Sequence, residues 1–390
     1  MLELSKIARH IDNFGRIRAE SLAGRCDEFC IASKTIAEIN SSFDEARSKI
    51  HTAKTSWLVA NFDEPPDKTY DLPSCPKRHA VLAVDGSQIG PGKHEIALCY
   101  LINTSAVALF YGVGERPWAE TMPQLYYKDE ELYETYAGRR VQVTDKLLSM
   151  KRTLAESAHL ANALPRVAEK DLPAVALWDG SLIRWTLEGD PPDYRERALR
   201  EYLKTFDIAK DLRIPIAGYI SDPGGRDFVN ALKVMLCPNS VVNCEKCDIP
   251  SQGDEQKPCD VLGALTDAMT FMRILKPGQR SVLFTSSSNI LKQYGTHDVR
   301  TFYMNLGREV TRVEVPLWVA VDREMLDLVH AVCWDQAQKG RGYPVALAQA
   351  HEWAVVQAPD RKAFFELIER SFIRHGVPVT HSLKRISKGY

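Results

Sequence analysis

Long apolar runs, surplus charge and abundant cysteine are all missing from this 390-residue sequence. The N-terminal stretch MLELSKIARHIDNFGRIRAE mixes charges with single apolar residues, so neither a signal peptide nor a membrane span is expected, and a cytoplasmic location is. Lys and Arg number 50 against 51 Asp and Glu. Any nucleic-acid partner must then be held by a local basic surface, because bulk charge neither proposes nor excludes one. Nine cysteines are too few for a disulfide scaffold, and four of them crowd into one segment, which in a reducing compartment points to metal. There is no Gly-x-x-x-x-Gly-Lys-Ser/Thr sequence, so ATP hydrolysis is not expected. No repeat of fixed period and no low-complexity tract occurs either. What remains is globular: 45% hydrophobic and 26% charged residues support one large domain or two ordinary ones.

Between Leu2 and about Leu58 the apolar residues Leu4, Ile7, Ile11, Phe14, Ile36, Ile39, Phe43 and Ala46 recur at helical spacing, which predicts two or three amphipathic helices. The proline-rich NFDEPPDKTYDLPSCPKRH reads as an irregular connection, with a boundary near residue 70. The expected organisation is an N-terminal helical region over 1–70, a main domain over 71–380 and a basic tail over 381–390. In the main domain HAVLAVDGS, EIALCYLINTSAVALFYG, PAVALWDG, IPIAGYIS, SVLFTSSS, RTFYMNLG and VTRVEVPLWVAV read as strands. Helices are expected from about Thr144 to Leu164, ended by Pro165, over DYRERALREYLKTFDIAKDL, and near Asp322 to Lys339, Pro344 to Val356 and Asp360 to His375. Alternating strands and helices predict an α/β fold whose mixed sheet is flanked by helices.

Two apolar runs, AVLAVDGSQ and AVALWDGSL, end in the same Asp-Gly-Ser. Each reads as an aspartate where a buried strand leaves its sheet, the place where α/β folds put their chemistry. Each is also an ordinary turn signal. On adjacent strands Asp85 and Asp179 would repel, and a divalent cation with a preference for hard oxygen ligands removes that penalty. Glu156, four residues after Arg152 on the intervening helix, is either a third carboxylate or half of a solvated helix pair.

The order VDGS, MKRTLAE, ALWDGSL, RVEVPLW and GYPVALAQAHEWAV resembles the NurA nucleases over roughly residues 79–380. The resemblance implies a ribonuclease-H-like core, with Asp85, Glu156, Asp179 and His351 as ligands of two Mn²⁺ or Mg²⁺ ions and Tyr343 as a further active-site position. Such a set suits hydrolysis of a phosphodiester by two metals. The activity implied is 5′–3′ exonuclease and single-strand endonuclease action on DNA in end resection and repair, by a homodimer docked on a HerA-type hexameric translocase. The N-terminal helices are the candidate contact surface. A non-catalytic DNA-binding adaptor, and a ribonuclease-H-like enzyme acting on RNA or hybrids, are the alternatives.

Cys237, Cys244, Cys247 and Cys259 form a segment outside the general NurA pattern. Four thiolates at this spacing suit Zn²⁺, or an iron–sulfur cluster, and the segment has too few large apolar residues to order itself by burial. It reads as an insertion ahead of a helix starting near Asp260. Candidate phosphate contacts are Arg226, Arg273, Lys276, Arg280 and the tail SLKRISKGY. Trp178, Trp185 and Tyr343 are candidates for base stacking, with core packing the expected role of Trp178.

Overall fold

The computed structural model describes residues 3–92, 96–247, 249 and 257–379, the side chains of 20–24 excepted. The tail SLKRISKGY lies outside the described residues. The chain forms two compact units, one of Met1–Leu72, Ile220–Ser288 and Arg300–Val313, the other of Pro73–Tyr219, Asn289–Val299 and Glu314–Tyr390. The architecture is mixed α/β in which helices flank β-sheet. No helix among the described residues is long and apolar enough to cross a membrane.

The second unit is built on the strand His79–Ile89, whose first six residues are buried. Apolar residues facing both ways make it a central strand covered on both faces. It pairs antiparallel with Tyr100–Tyr111, which pairs antiparallel with Trp118–Tyr126. On its other side it pairs parallel with Ala174–Asp179, which pairs parallel with Ile216–Ile220. In chain order the strands therefore lie 3-2-1-4-5, with two antiparallel and two parallel pairings, so that the second strand runs against the other four. The parallel steps need crossovers, supplied by the helices Asp145–Ala168 and Pro192–Asp211. Their inward faces, among them Leu160, Leu164, Tyr202 and Phe206, complete one hydrophobic core with the sheet.

In the first unit the helix Leu4–Ser41 is followed by Phe43–Thr52. The strands Ala60–Phe62, Phe284–Ser286 and Val299–Asn305 pair in series. Phe62, Phe228, Phe271, Phe284 and Tyr303 form a contiguous aromatic cluster in its core. Phe271 and Tyr303 stack at 4.7 Å, a contact that adds to the area they bury.

Several expected boundaries move. The Asp145–Ala168 helix runs through Pro165 instead of ending there. A proline in the last turn forfeits one bond, to the carbonyl four residues back, while continuing the helix buries Val167 completely. VTRVEVPLWVAV is not one strand: Val310–Pro316 stops at its proline and Leu317–Ala320 is helical. The helix expected near Asp260 begins at Asp267, where Thr266 caps it by accepting from the Met269 amide. Trp118–Tyr126 and the hairpin of Tyr133–Tyr136 with Arg139–Gln142 were not anticipated. None of the three contains a buried residue, so they lack the apolar alternation that marks a strand.

Candidate active site

The two Asp-Gly-Ser segments are not used alike. Asp85 does not end its strand: the antiparallel ladder continues through Asp85↔Ser105 and Ser87↔Asn103 to Ile89. What ends there is the parallel pairing, whose last partners are Val84 and Trp178. Asp85 is thus at the point where the two parallel strands part, and Asp179 is the last residue of the neighbouring one. The second segment is a true turn, with Gly180 at φ +91°, a conformation that favours glycine. Gly86 serves packing instead. A Cβ there would lie 2.5 Å from Glu156 Oε1 and 2.9 Å from its Cγ, so the missing side chain is the room in which Glu156 sits.

Glu156 projects from the crossover helix and is 7% exposed. Its helix partner Arg152 is present, Nε to Oε1 3.2 Å, but the pair is not the solvated one that spacing alone allows. Burial pushes the Glu156 carboxyl up to about 7; Arg152 opposes the rise, and the charges of Asp85 and Asp179 add to it. Asp179 is also raised, chiefly by burial of its carboxyl, with a hydrogen bond from Tyr343 working against the rise and the Asp85 charge adding to it. Burial likewise raises the Tyr343 phenol, followed by the Asp179 charge, so Tyr343 is a neutral donor to Asp179. Two carboxyls raised by burial, and further by a neighbouring carboxylate charge, are the electrostatic signature of a site missing positive charge.

His351 comes from the helix Val345–Ala354. Its Nδ1 lies 2.8 Å from Asp85 Oδ2, while Asp85 Oδ1 accepts from the Gly86 amide at 2.7 Å. The strand pair holds the end of that helix. Ser105 donates to the Ala350 carbonyl at 2.6 Å, Ser87 to the Ala354 carbonyl at 2.5 Å, and Asn103 to the same carbonyl at 2.8 Å. These side chains satisfy carbonyls that a helix C-terminus leaves without partners. The start of the helix is set by Gln336, which accepts from the Ala346 amide, and by Gly340, where a Cβ would stand 1.8 Å from the Tyr343 carbonyl oxygen.

Two residues escaped sequence reasoning. Glu314 accepts from Ser181 Oγ at 2.7 Å and from the Leu182 amide at 2.8 Å, so it positions the turn that follows Asp179. Arg184 is half-buried, with Tyr202, Tyr294, Glu156 and Glu314 as its electrostatic neighbours, and offers Glu156 a second cation. Glu314 sits in the RVEVPLW segment, where a charge inside an apolar strand was the available signal. Arg184 carried no signal beyond standing five residues after Asp179.

The donor chemistry fits a hard divalent cation: carboxylate oxygens, one imidazole, and like charges in need of neutralisation. Among the described residues no three of Asp85, Glu156, Asp179 and His351 bring ligand atoms within 4.8 Å of one another; hydrogen bonds to Tyr343, His351 and the Gly86 amide hold the two aspartates. The sequence profile of the NurA domain matches residues 79–356, more than half of the chain. The chain belongs to the NurA family. No curated protein matches. Among solved structures this NurA-family chain is similar to the crystal structure of the NurA nuclease from Sulfolobus solfataricus, at 15% identity and a TM-score of 0.46, over 88% of this chain and 95% of that one. The match ends short of residue 380, inside the region over which the sequence resembles NurA proteins.

The remaining candidates separate. Cys237, Cys244, Cys247 and Cys259 lie in the first unit near enough that the charges of Cys259, Cys237 and Cys247 raise the Cys244 thiol, after burial. Their sulfurs do not close to within 4.8 Å of one another among the described residues. Residues 248 and 250–256 of this segment lie outside the described residues. Arg280 is no phosphate contact: it is 4% exposed and stacks over Tyr70 at 4.0 Å. Arg226 donates to the Gly263 carbonyl, Arg273 lies over Phe29, and Lys276 is exposed. Trp178 is buried edge-on to Tyr202 at 5.6 Å, which removes it as a stacking platform. Trp185 is half-buried against the same core.

Proposed function

We propose that this chain is a metal-dependent deoxyribonuclease with 5′–3′ exonuclease and single-strand endonuclease activity, hydrolysing phosphodiester bonds in DNA end resection and repair. The observation that carries this reading is the shared neighbourhood of Asp85, Glu156 and Asp179, in which the charges of both aspartates reach the buried Glu156 carboxyl. Asp85 would be the central ligand, Asp179 and Glu156 would divide two ions between them, and His351 would complete the ligands of one. When bound, Mn²⁺ or Mg²⁺ would lower the pKa of an attacking water and neutralise the phosphate. The chain's own residues do the rest. Arg152 and Arg184 oppose the burial that raises Glu156, Tyr343 orients Asp179, and Glu314 holds the turn beyond it. His351 donates a hydrogen bond from Nδ1 to Asp85, leaving Nε2 on an exposed ring as the atom that would reach a metal.

The four thiols of the first unit are proposed to hold Zn²⁺, or an iron–sulfur cluster, supported by their shared neighbourhood. Leu4, Ile11, Phe14 and Ile17 are all more than half exposed and recur at helical spacing on the first helix. They support that helix as the contact for a second copy of the chain or for a HerA-type hexameric translocase. The test is cleavage of end-labelled single- and double-stranded DNA with Mn²⁺, Mg²⁺ or EDTA. We expect metal-dependent cutting that Asp85→Ala and Asp179→Ala each reduce at least 100-fold. No cutting by the wild type, even with a matching translocase, would turn the reading to a non-catalytic DNA-binding adaptor. Cutting confined to RNA or hybrids would turn it to a ribonuclease.

A further inference from the structure

We propose that the second unit carries a Zn²⁺ site, separate from the carboxylate centre, formed by Cys75, His79 and Asp335. Among the described residues this is the group whose sulfur, nitrogen and carboxylate atoms all lie within 4.8 Å of one another. His79 opens the strand that carries Asp85, six residues earlier and so about 20 Å away along it. Asp335 is on the helix Arg323–Lys339.

The orientation of His79 argues for a ligand. Its Nδ1 donates to the Pro76 carbonyl at 2.7 Å, which fixes the tautomer and leaves the lone pair of Nε2 free. The ring is 3% exposed and stacked on Tyr111 at 4.7 Å, so it cannot turn away. Nε2 has no hydrogen-bond partner and lies 3.8 Å from Asp335 Oδ2. Two donors on a tetrahedral zinc lie about 3.3 Å apart, so closure takes a shift of about half an ångström. Cys75 makes only a long contact to the Pro76 carbonyl, 3.8 Å. Sulfur, imidazole and carboxylate together select Zn²⁺ over Mg²⁺. Cys75 and Asp335 are only partly buried, which leaves a path in and a fourth position for water. Binding releases the thiol proton.

Lys339 is the competitor, because its ammonium bonds to the same Asp335 oxygen while lying over Tyr111 at 4.2 Å. The full-length chain with Cys244→Ser and Cys247→Ser, which disables the other thiol group, would be titrated with Co²⁺ and then Zn²⁺. The carboxylate centre has no thiol, so a thiolate-to-Co²⁺ charge-transfer band reports on cysteine ligation. The expected band saturates at one equivalent, is displaced by Zn²⁺, disappears in Cys75→Ser and weakens at least tenfold in affinity with Asp335→Asn. Lys339→Met should tighten binding several-fold while leaving the fold intact, and Zn²⁺ should raise the melting temperature of that variant. No band in a folded Lys339→Met chain, or a band undiminished by Cys75→Ser, would overturn the site. DNA cleavage plays no part in this readout.

Discussion

Asp267 shows how a single buried carboxylate can shape the first unit. It is fully buried, and its two oxygens accept from the Phe228 and Val229 amides and from the Tyr303 hydroxyl. It therefore caps the helix Asp227–Leu236 from another element, where Arg226 supplies no side-chain cap. Burial nevertheless pushes its carboxyl up to about 6, against these donors and with the Asp227 charge adding to the rise. A raised folded-state value means that its stability contribution is complete below the unfolded value of about 4 and is lost as pH rises through about 6. Asp267→Asn removes that titration but turns an amide N–H toward donors. Denaturant unfolding from pH 4.5 to 7.5 should find the wild type more stable than the variant by about 1–3 kcal/mol at the acid end, with the gap narrowing toward neutrality. At this scale the sequence displays which groups can do chemistry, and Asp85, Asp179 and Glu156 were all visible. It does not display burial. Glu156 and Arg152 look like any exposed pair four apart, and only Gly86, by lacking a Cβ, puts Glu156 inside.

The decisive element is the strand pair His79–Ile89 and Tyr100–Tyr111. Asp85, Ser87, Asn103 and Ser105 share one of its faces, because residues two apart on a strand, and register partners across strands, point the same way. That face holds the C-terminal carbonyls of the His351 helix. The neighbouring position, Gly86, faces the Glu156 helix on the other side. Ser105→Ala and Ser87→Ala should each cost about 1 kcal/mol of stability and free the helix end that places His351. In steady-state cleavage kinetics, kcat should fall several-fold with KM little changed. An equal rise of KM would mean that these serines serve DNA binding instead. Element existence was largely legible, since the buried strands read as continuous apolar runs and the crossover helices keep helical periodicity. The exposed Trp118–Tyr126 strand was not, because edge position removes the pattern from which strands are read.

Across the whole chain, function and stability oppose each other at the carboxylate centre. Without a divalent cation, Asp179 is raised by burial and the Asp85 charge, and Glu156 by burial and the charges of Asp85 and Asp179, and that repulsion is a standing cost. In EDTA, Asp179→Asn should melt about 2–4 °C above the wild type, the shift expected per kcal/mol for a large domain, although it abolishes cleavage. Mn²⁺ should raise the wild-type melting temperature and reverse the order. A lower melting temperature for the variant in EDTA would show that the Tyr343 hydrogen bond outweighs the repulsion. By itself the sequence determined the α/β class, the main strands and helices, the family, and the acids and histidine on offer, because these follow from local periodicity and from residue types that chemistry requires. Tertiary structure alone decided that the first Asp-Gly-Ser is a ladder and the second a turn, that Arg280 is buried, and that Glu314 and Arg184 attend the site. Each of those depends on what packs against a residue from distant parts of the chain, and no local pattern records it.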